Sequence, residues 1–233
     1  MWNNTANMTH FTFLLLALGL LIIPLFFHLD EKIFKDGSFK ATLGASLISA
    51  IIFSATTVLF QLFGVIAFNI SSTTGLLLNN VPLEQYLLNF SLSFAAISVY
   101  QYFNIKFPNN DLQKYSLALS HLLIGLCVAF LFFGYPKWYT LLTFAMLLVL
   151  LFLIEYVSRL RFMYRAYRAF ALMLIPFYIV YGFLFWNDTL TVAKNQLTGM
   201  YVLKIPVENH FILLSMLLVS IYMFEFFKNK NTV

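Results

Sequence analysis

The sequence predicts an all-α fold: a polytopic membrane helical bundle of about seven transmembrane helices, two parallel three-helix repeats joined by a linker helix. Three observations predict it. Of 233 residues, 61% are hydrophobic and 10% charged, whereas a soluble domain carries about 45–50% apolar and about 25% charged residues. The apolar residues fall in long runs, each near the roughly 20 helical residues that cross a hydrocarbon core of about 30 Å. One motif occurs twice at a fixed offset. The composition excludes a soluble globular domain, and also a disordered chain, which needs low hydrophobicity and high charge. A single cysteine allows no internal disulfide.

The expected spans are Phe11–Phe27, Ala45–Phe68, Leu83–Phe103, Tyr115–Phe133, Trp138–Tyr156, Ala169–Trp186 and Val207–Phe227. Strands are not expected, because the runs are much longer than the alternating segments of a membrane barrel. The first span has no basic leader and no small-residue cleavage site after it, so it reads as a retained helix. One side of this topology holds Lys32, Lys35, Lys40, Lys106, Lys114, Arg159, Arg161, Arg165, Arg168, Lys228 and Lys230; the other holds Lys137, Lys194 and Lys204. The positive-inside rule then expects an external N-terminus and a cytoplasmic C-terminus. The net charge of +5 is a topology signal. No basic stripe interleaved with stacking aromatics suggests nucleic acid as a partner.

Thr74-Gly75 and Pro82-Leu83-Glu84-Gln85 introduce the third span. Thr198-Gly199 and Pro206-Val207-Glu208-Asn209 introduce the seventh, 124 residues later. The same offset carries span 1 onto span 5 and span 2 onto span 6, which leaves span 4 as the linker. A single membrane domain over 1–233 is expected, with repeat one at about 10–104, the linker at about 115–134 and repeat two at about 137–228. An even number of crossings separates the copies, so they run in parallel. Pro-x-Glu also suits an ordinary helix start: proline fits the first turn and glutamate complements the dipole.

Glu84 and Glu208 are the candidate catalytic pair. A carboxylate in a membrane interior is costly and marks function by default. Two such groups near each other separate their titrations, as acid–base chemistry on an apolar substrate requires. Asn69, Gln85, Asn209 and His210 are candidate tuning groups, and Phe68, Tyr86 and Trp186 candidate pocket walls. Pro82 and Pro206 set the helix starts. His210 equally fits an interfacial histidine bonded to backbone. No metal-ligand spacing, Gly-x-Gly-x-x-Gly motif or P-loop occurs, so no cofactor is expected. The absence of an Asp-rich D-x-x-x-D motif argues against a magnesium-dependent prenyl transferase.

The chain resembles the integral-membrane lycopene cyclase domain of bacterial heterodimeric-type and of archaeal and fungal fused carotenoid cyclases. The residues that carry the likeness are Gly64-Val65-Ile66-Ala67-Phe68-Asn69, Thr74-Gly75, Asn80-Val81-Pro82-Leu83-Glu84-Gln85 and Ile205-Pro206-Val207-Glu208-Asn209. The resemblance implies a redox-neutral, acid-catalysed cyclisation of a linear carotenoid end group without a nucleotide cofactor. It also implies a polyene substrate, lipid contacts, carotenoid-synthesis enzymes as partners and a bacterial inner membrane as location. Gln85 and Asn209 stand where the family has a second acidic or polar residue, Thr56-Thr57 where it has Trp-Asp, and Ile66 where it has tryptophan. The alternative reading is a non-catalytic membrane subunit or scaffold of a carotenoid-synthesis complex. A small carrier would need more broken helices and mid-membrane polar groups.

Overall fold

A computed structural model describes residues 3–28, 38–109, 113–158 and 162–230. Of the residues used for orientation, Lys32, Lys35, Arg159 and Arg161 lie outside these. The first apolar stretch forms two helices, α1 (Asn3–Gly19) and α2 (Ile22–His28). The break at Leu20–Leu21 lies one turn before Pro24, whose ring displaces the carbonyl four residues back. Helix α3 spans Ser38–Leu62, beginning and ending earlier than its apolar run. It stops because Gly64 adopts φ +64°, while the Val65 amide donates to the Phe60 carbonyl at 2.9 Å. That is a glycine-terminated helix end.

A compact loop follows: β1 (Ile66–Phe68), a 3-10 turn, then the hairpin β2 (Leu77–Leu78) and β3 (Val81–Pro82). It leads into α4 (Leu83–Lys106). Asn79 and Asn80 both take positive φ, as a two-residue type I′ turn demands. Next come α5 (Ser116–Phe133) and α6 (Trp138–Phe152), the latter ending in a π-helical turn at Leu153–Val157. Helix α7 (Met163–Trp186) leads to β4 (Leu190–Val192), β5 (Tyr201–Val202), β6 (Ile205–Pro206) and α8 (Val207–Lys230). Every element from β1 to α4 therefore has a counterpart 124 residues later.

Among the described residues, five helices are long and apolar enough to cross a membrane: α3, α5 with its preceding 3-10 turn, α6 with its π turn, α7 and α8. The α1–α2 stretch is a shorter apolar segment. Helix α4 is as long as α7, but buries Gln85, Asn89, Ser91, Ser93, Ser98 and Gln101. Its polarity lowers its hydropathy; its central place allows it, since α4 packs on α1, α2, α3, α7 and α8. These long apolar helices make the chain an integral membrane protein.

Polar groups stitch the centre. Ser220 and Ser93 each donate to the Ser49 hydroxyl, at 2.8 and 3.1 Å, and the Gln101 amide donates to Thr42 at 2.7 Å. In lipid, such bonds and close packing replace the hydrophobic drive between helices. The two halves also join through β1 and β4, antiparallel, with Ala67 opposite Thr191. Two further bonds extend the pair symmetrically, from Asn69 to Thr189 and from Ala193 to Val65, both 2.9 Å.

Candidate functional site

Both motif glutamates sit in the first turn of a central helix, at the end of the bundle that carries the hairpins. Their exposures are 1% for Glu84 and 0% for Glu208. The Thr74 amide donates to Glu84 Oε1 at 2.6 Å. The Thr198 amide donates to Glu208 Oε1 at 2.8 Å, and two hydroxyls join it, Thr198 at 2.9 Å and Thr140 at 2.7 Å. Gly75 and Gly199, at φ +80° and +86°, let the loop turn back so that the threonine amide points at the carboxyl. The recurrence of Thr-Gly ten residues before each glutamate thus has a physical cause: each glutamate clamps its own loop. In both cases Oε2 is buried without a hydrogen-bond partner among the described residues.

The residues after the glutamates face elsewhere. Gln85 and Asn209 line one small cavity between the halves, with Asn89, Thr56, Thr57, Tyr139 and Tyr181. Phe53, Phe60 and Phe68 complete much of its aromatic wall. Its volume is about 40 Å³, which is room for a water or two. The Gln85 amide donates to Asn89 Oδ1 at 3.1 Å, the Asn89 amide to the Ser54 hydroxyl at 3.1 Å, and the Tyr139 hydroxyl to Asn209 Oδ1 at 3.0 Å. Gln85 Oε1 is buried and unpartnered among the described residues. Thr56 and Thr57 donate back to Ile52 and Phe53 carbonyls, so their hydroxyls are already engaged.

The other candidates are dispersed. Pro82 and Pro206 are buried in the strand pairs opposite Leu77 and Tyr201. Asn69 is exposed and caps its 3-10 turn, accepting from the Ser71 amide and hydroxyl. Tyr86 donates to the Leu78 carbonyl at 2.9 Å and lines an outer hollow rather than the cavity. Trp186 is 67% exposed, with the Lys204 ammonium 4.0 Å from its ring centre. His210 bonds the Pro206 carbonyl at 3.2 Å and the Tyr178 hydroxyl at 3.0 Å. Two other carboxylates are held well away in sequence: Glu155 accepts from Ser120, and Glu225 from Tyr100 at 2.6 Å. Sequence reasoning missed Tyr139, Thr140 and Tyr181. The signal available was a pair of hydroxyls opening an otherwise apolar span.

A family model described as lycopene cyclase matches residues 7–103 and 136–227 of the chain. The matched segments take in both glutamate motifs and leave out α5. No curated protein and no solved structure matches the chain.

Proposed function

Because the chain belongs to the lycopene cyclase family, we propose that it catalyses a redox-neutral, acid-initiated ring closure of a linear carotenoid end group. One glutamic acid donates its proton to the terminal double bond. The resulting cation is attacked by an internal double bond, which forms the ring carbon–carbon bond. The other carboxylate takes a proton from the adjacent carbon, so the product is an isomer and no reductant or oxidant is consumed. Glu84 and Glu208 are the proposed pair, and we read the two halves as parallel repeats that supply one carboxyl each.

The observation that carries this reading is the unpartnered, buried Oε2 on both glutamates. A carboxyl used only as a loop clamp leaves no such atom without cost, since a buried acceptor without a donor is destabilising. A protonated acid with a reacting neighbour has a use for it. Gln85, Asn209, Tyr139 and the surrounding rings would then orient the end group, the rings by attraction between their faces and a cation. Neither glutamate lines the resting cavity, since each is turned to its own loop. A polyene end is also far larger than that cavity, so the reaction requires the wall to part until the end group meets each Oε2.

The test is expression in cells that accumulate lycopene, with pigments separated by chromatography. Monocyclic or bicyclic product is expected from the wild type and is lost in Glu84→Gln or Glu208→Gln at equal membrane abundance. Unchanged product in both variants would overturn the assignment of the pair. A second reading, a non-catalytic membrane subunit or scaffold of carotenoid-synthesis enzymes, draws on the use of each Oε1 as a loop clamp. It expects unaltered lycopene from correctly folded wild-type protein.

A further inference from the structure

Beside α3 and α4 lies a lipid-facing hollow of about 610 Å³, walled by Leu47, Ile51, Ala55, Leu59, Tyr86 and Phe90. Phe90 also walls a second hollow of about 280 Å³, with Pro24, Leu43 and Phe94 among its other residues. The two hollows adjoin at Phe90, and their linings on α3 run from Phe39 to Leu59; we call the pair the α3–α4 trough. Twenty residues of helix rise about 30 Å, close to the full hydrocarbon thickness.

Three features define what fits there. Among the described residues no charged side chain lines either hollow, so none of these residues would hold a phosphate headgroup. Its polar residues, Ser54, Asn79 and Tyr86, sit in the hollow next to the hairpin, and the Tyr86 hydroxyl is already tied to Leu78. The trough also abuts the inner cavity at one place: Ser54 lines the trough, Asn89 lines the cavity, and the Asn89 amide donates to the Ser54 hydroxyl at 3.1 Å. At that place a hydrogen bond between two small neutral groups links the two linings.

We propose that the α3–α4 trough admits a linear isoprenoid polyene laterally from the bilayer, and that the Ser54–Asn89 hydrogen bond is the partition its end group passes to reach the inner cavity. The inference rests on the ring-closure reading for what happens next, but makes its own claim about where the chain lies. A stiff hydrocarbon without a headgroup matches a long, uncharged trough that ends beside a buried polar cavity. The trough is specificity-determining: it selects extended apolar chains and delivers one end only.

The test uses the full chain expressed in lycopene-accumulating cells and purified in mild detergent. Lycopene absorbance per mole of protein is read beside cyclic product per mole of protein. Ala55→Trp and Leu59→Trp fill the trough from exposed positions; Ile179→Trp, on the exposed face of α7, is the control. Both trough variants are expected to lose at least fivefold in retained pigment and in product, with the control within twofold of wild type. If wild type retains pigment without cyclising it, and the trough variants lose that pigment, the access route stands while the ring-closure reading falls. Trough variants that retain pigment as wild type does would overturn the route. So would a wild type that retains phospholipid only.

Discussion

The two glutamates occupy matching positions, yet their surroundings predict unequal costs of removal. Glu208→Ala strands a fully buried donor, the Thr140 hydroxyl, as well as the half-buried Thr198 amide; the Thr198 hydroxyl can turn elsewhere. Glu84→Ala strands one donor, the Thr74 amide, in a half-buried loop. An unsatisfied buried donor costs about 1–3 kcal/mol. Allowing for relaxation, Glu208→Ala should cost about 3–4 kcal/mol and Glu84→Ala about 1–2 kcal/mol. In chains of this size 1 kcal/mol corresponds to about 2–4 °C, so the difference of about 2 kcal/mol predicts a gap of about 4–8 °C in Tm. Thermal unfolding of the detergent-purified variants measures it. A Thr140→Val background should shrink the effect of Glu208→Ala by about 1 kcal/mol, because neighbours that share a bond are not additive. Equal Tm losses for the two alanine variants, or no coupling to Thr140, would refute the reasoning.

Two further perturbations bear on the loops that hold these carboxyls. Leu203 sits at φ +49° in the second hairpin turn, where the first hairpin has Asn79 at +51°. The left-handed conformation costs a branched residue about 1–2 kcal/mol and suits asparagine, so Leu203→Asn should raise Tm by about 2–4 °C in thermal melts. Gly134 joins α5 to α6, and a Cβ built there would lie 2.5 Å from the Phe130 carbonyl oxygen and 2.6 Å from Thr140 Cγ2. Gly134→Ala should cost about 1–3 kcal/mol through overpacking. Because it displaces Thr140, it should reduce the further loss caused by Glu208→Ala, as a double-mutant cycle would register.

Much of the architecture was legible beforehand because its causes are local or compositional. Apolar run length marks a helix that lipid will tolerate. The break between α1 and α2 was not expected, because the apolar run Phe11–Phe27 reads as one span; Pro24, one turn beyond the break, was the local signal for it. The 124-residue offset located both Thr-Gly and Pro-x-Glu motifs at the starts of α4 and α8, but the short strands and hairpins just before those helices were not expected. Helix α4 starts where the expected span Leu83–Phe103 starts, although its buried polar residues make it less apolar than the other long helices; neighbouring helices enclose it. The second span was misplaced by several residues because Gly64 ends α3 and the next residues pair with β4 across the bundle.

The sequence by itself determined that the chain crosses a membrane, that its acid-bearing motif occurs twice, and which carboxyls are scarce enough to matter. Tertiary structure decided where those carboxyls point. Neighbours on a helix lie about 100° apart in direction, so Glu84 and Gln85 cannot both face the same space. The packing of α4 against α8 turns Gln85 and Asn209 toward the cavity and Glu84 and Glu208 toward their own loops. That choice depends on helix rotation, which is fixed by contacts between residues far apart in the chain and carries no local signal.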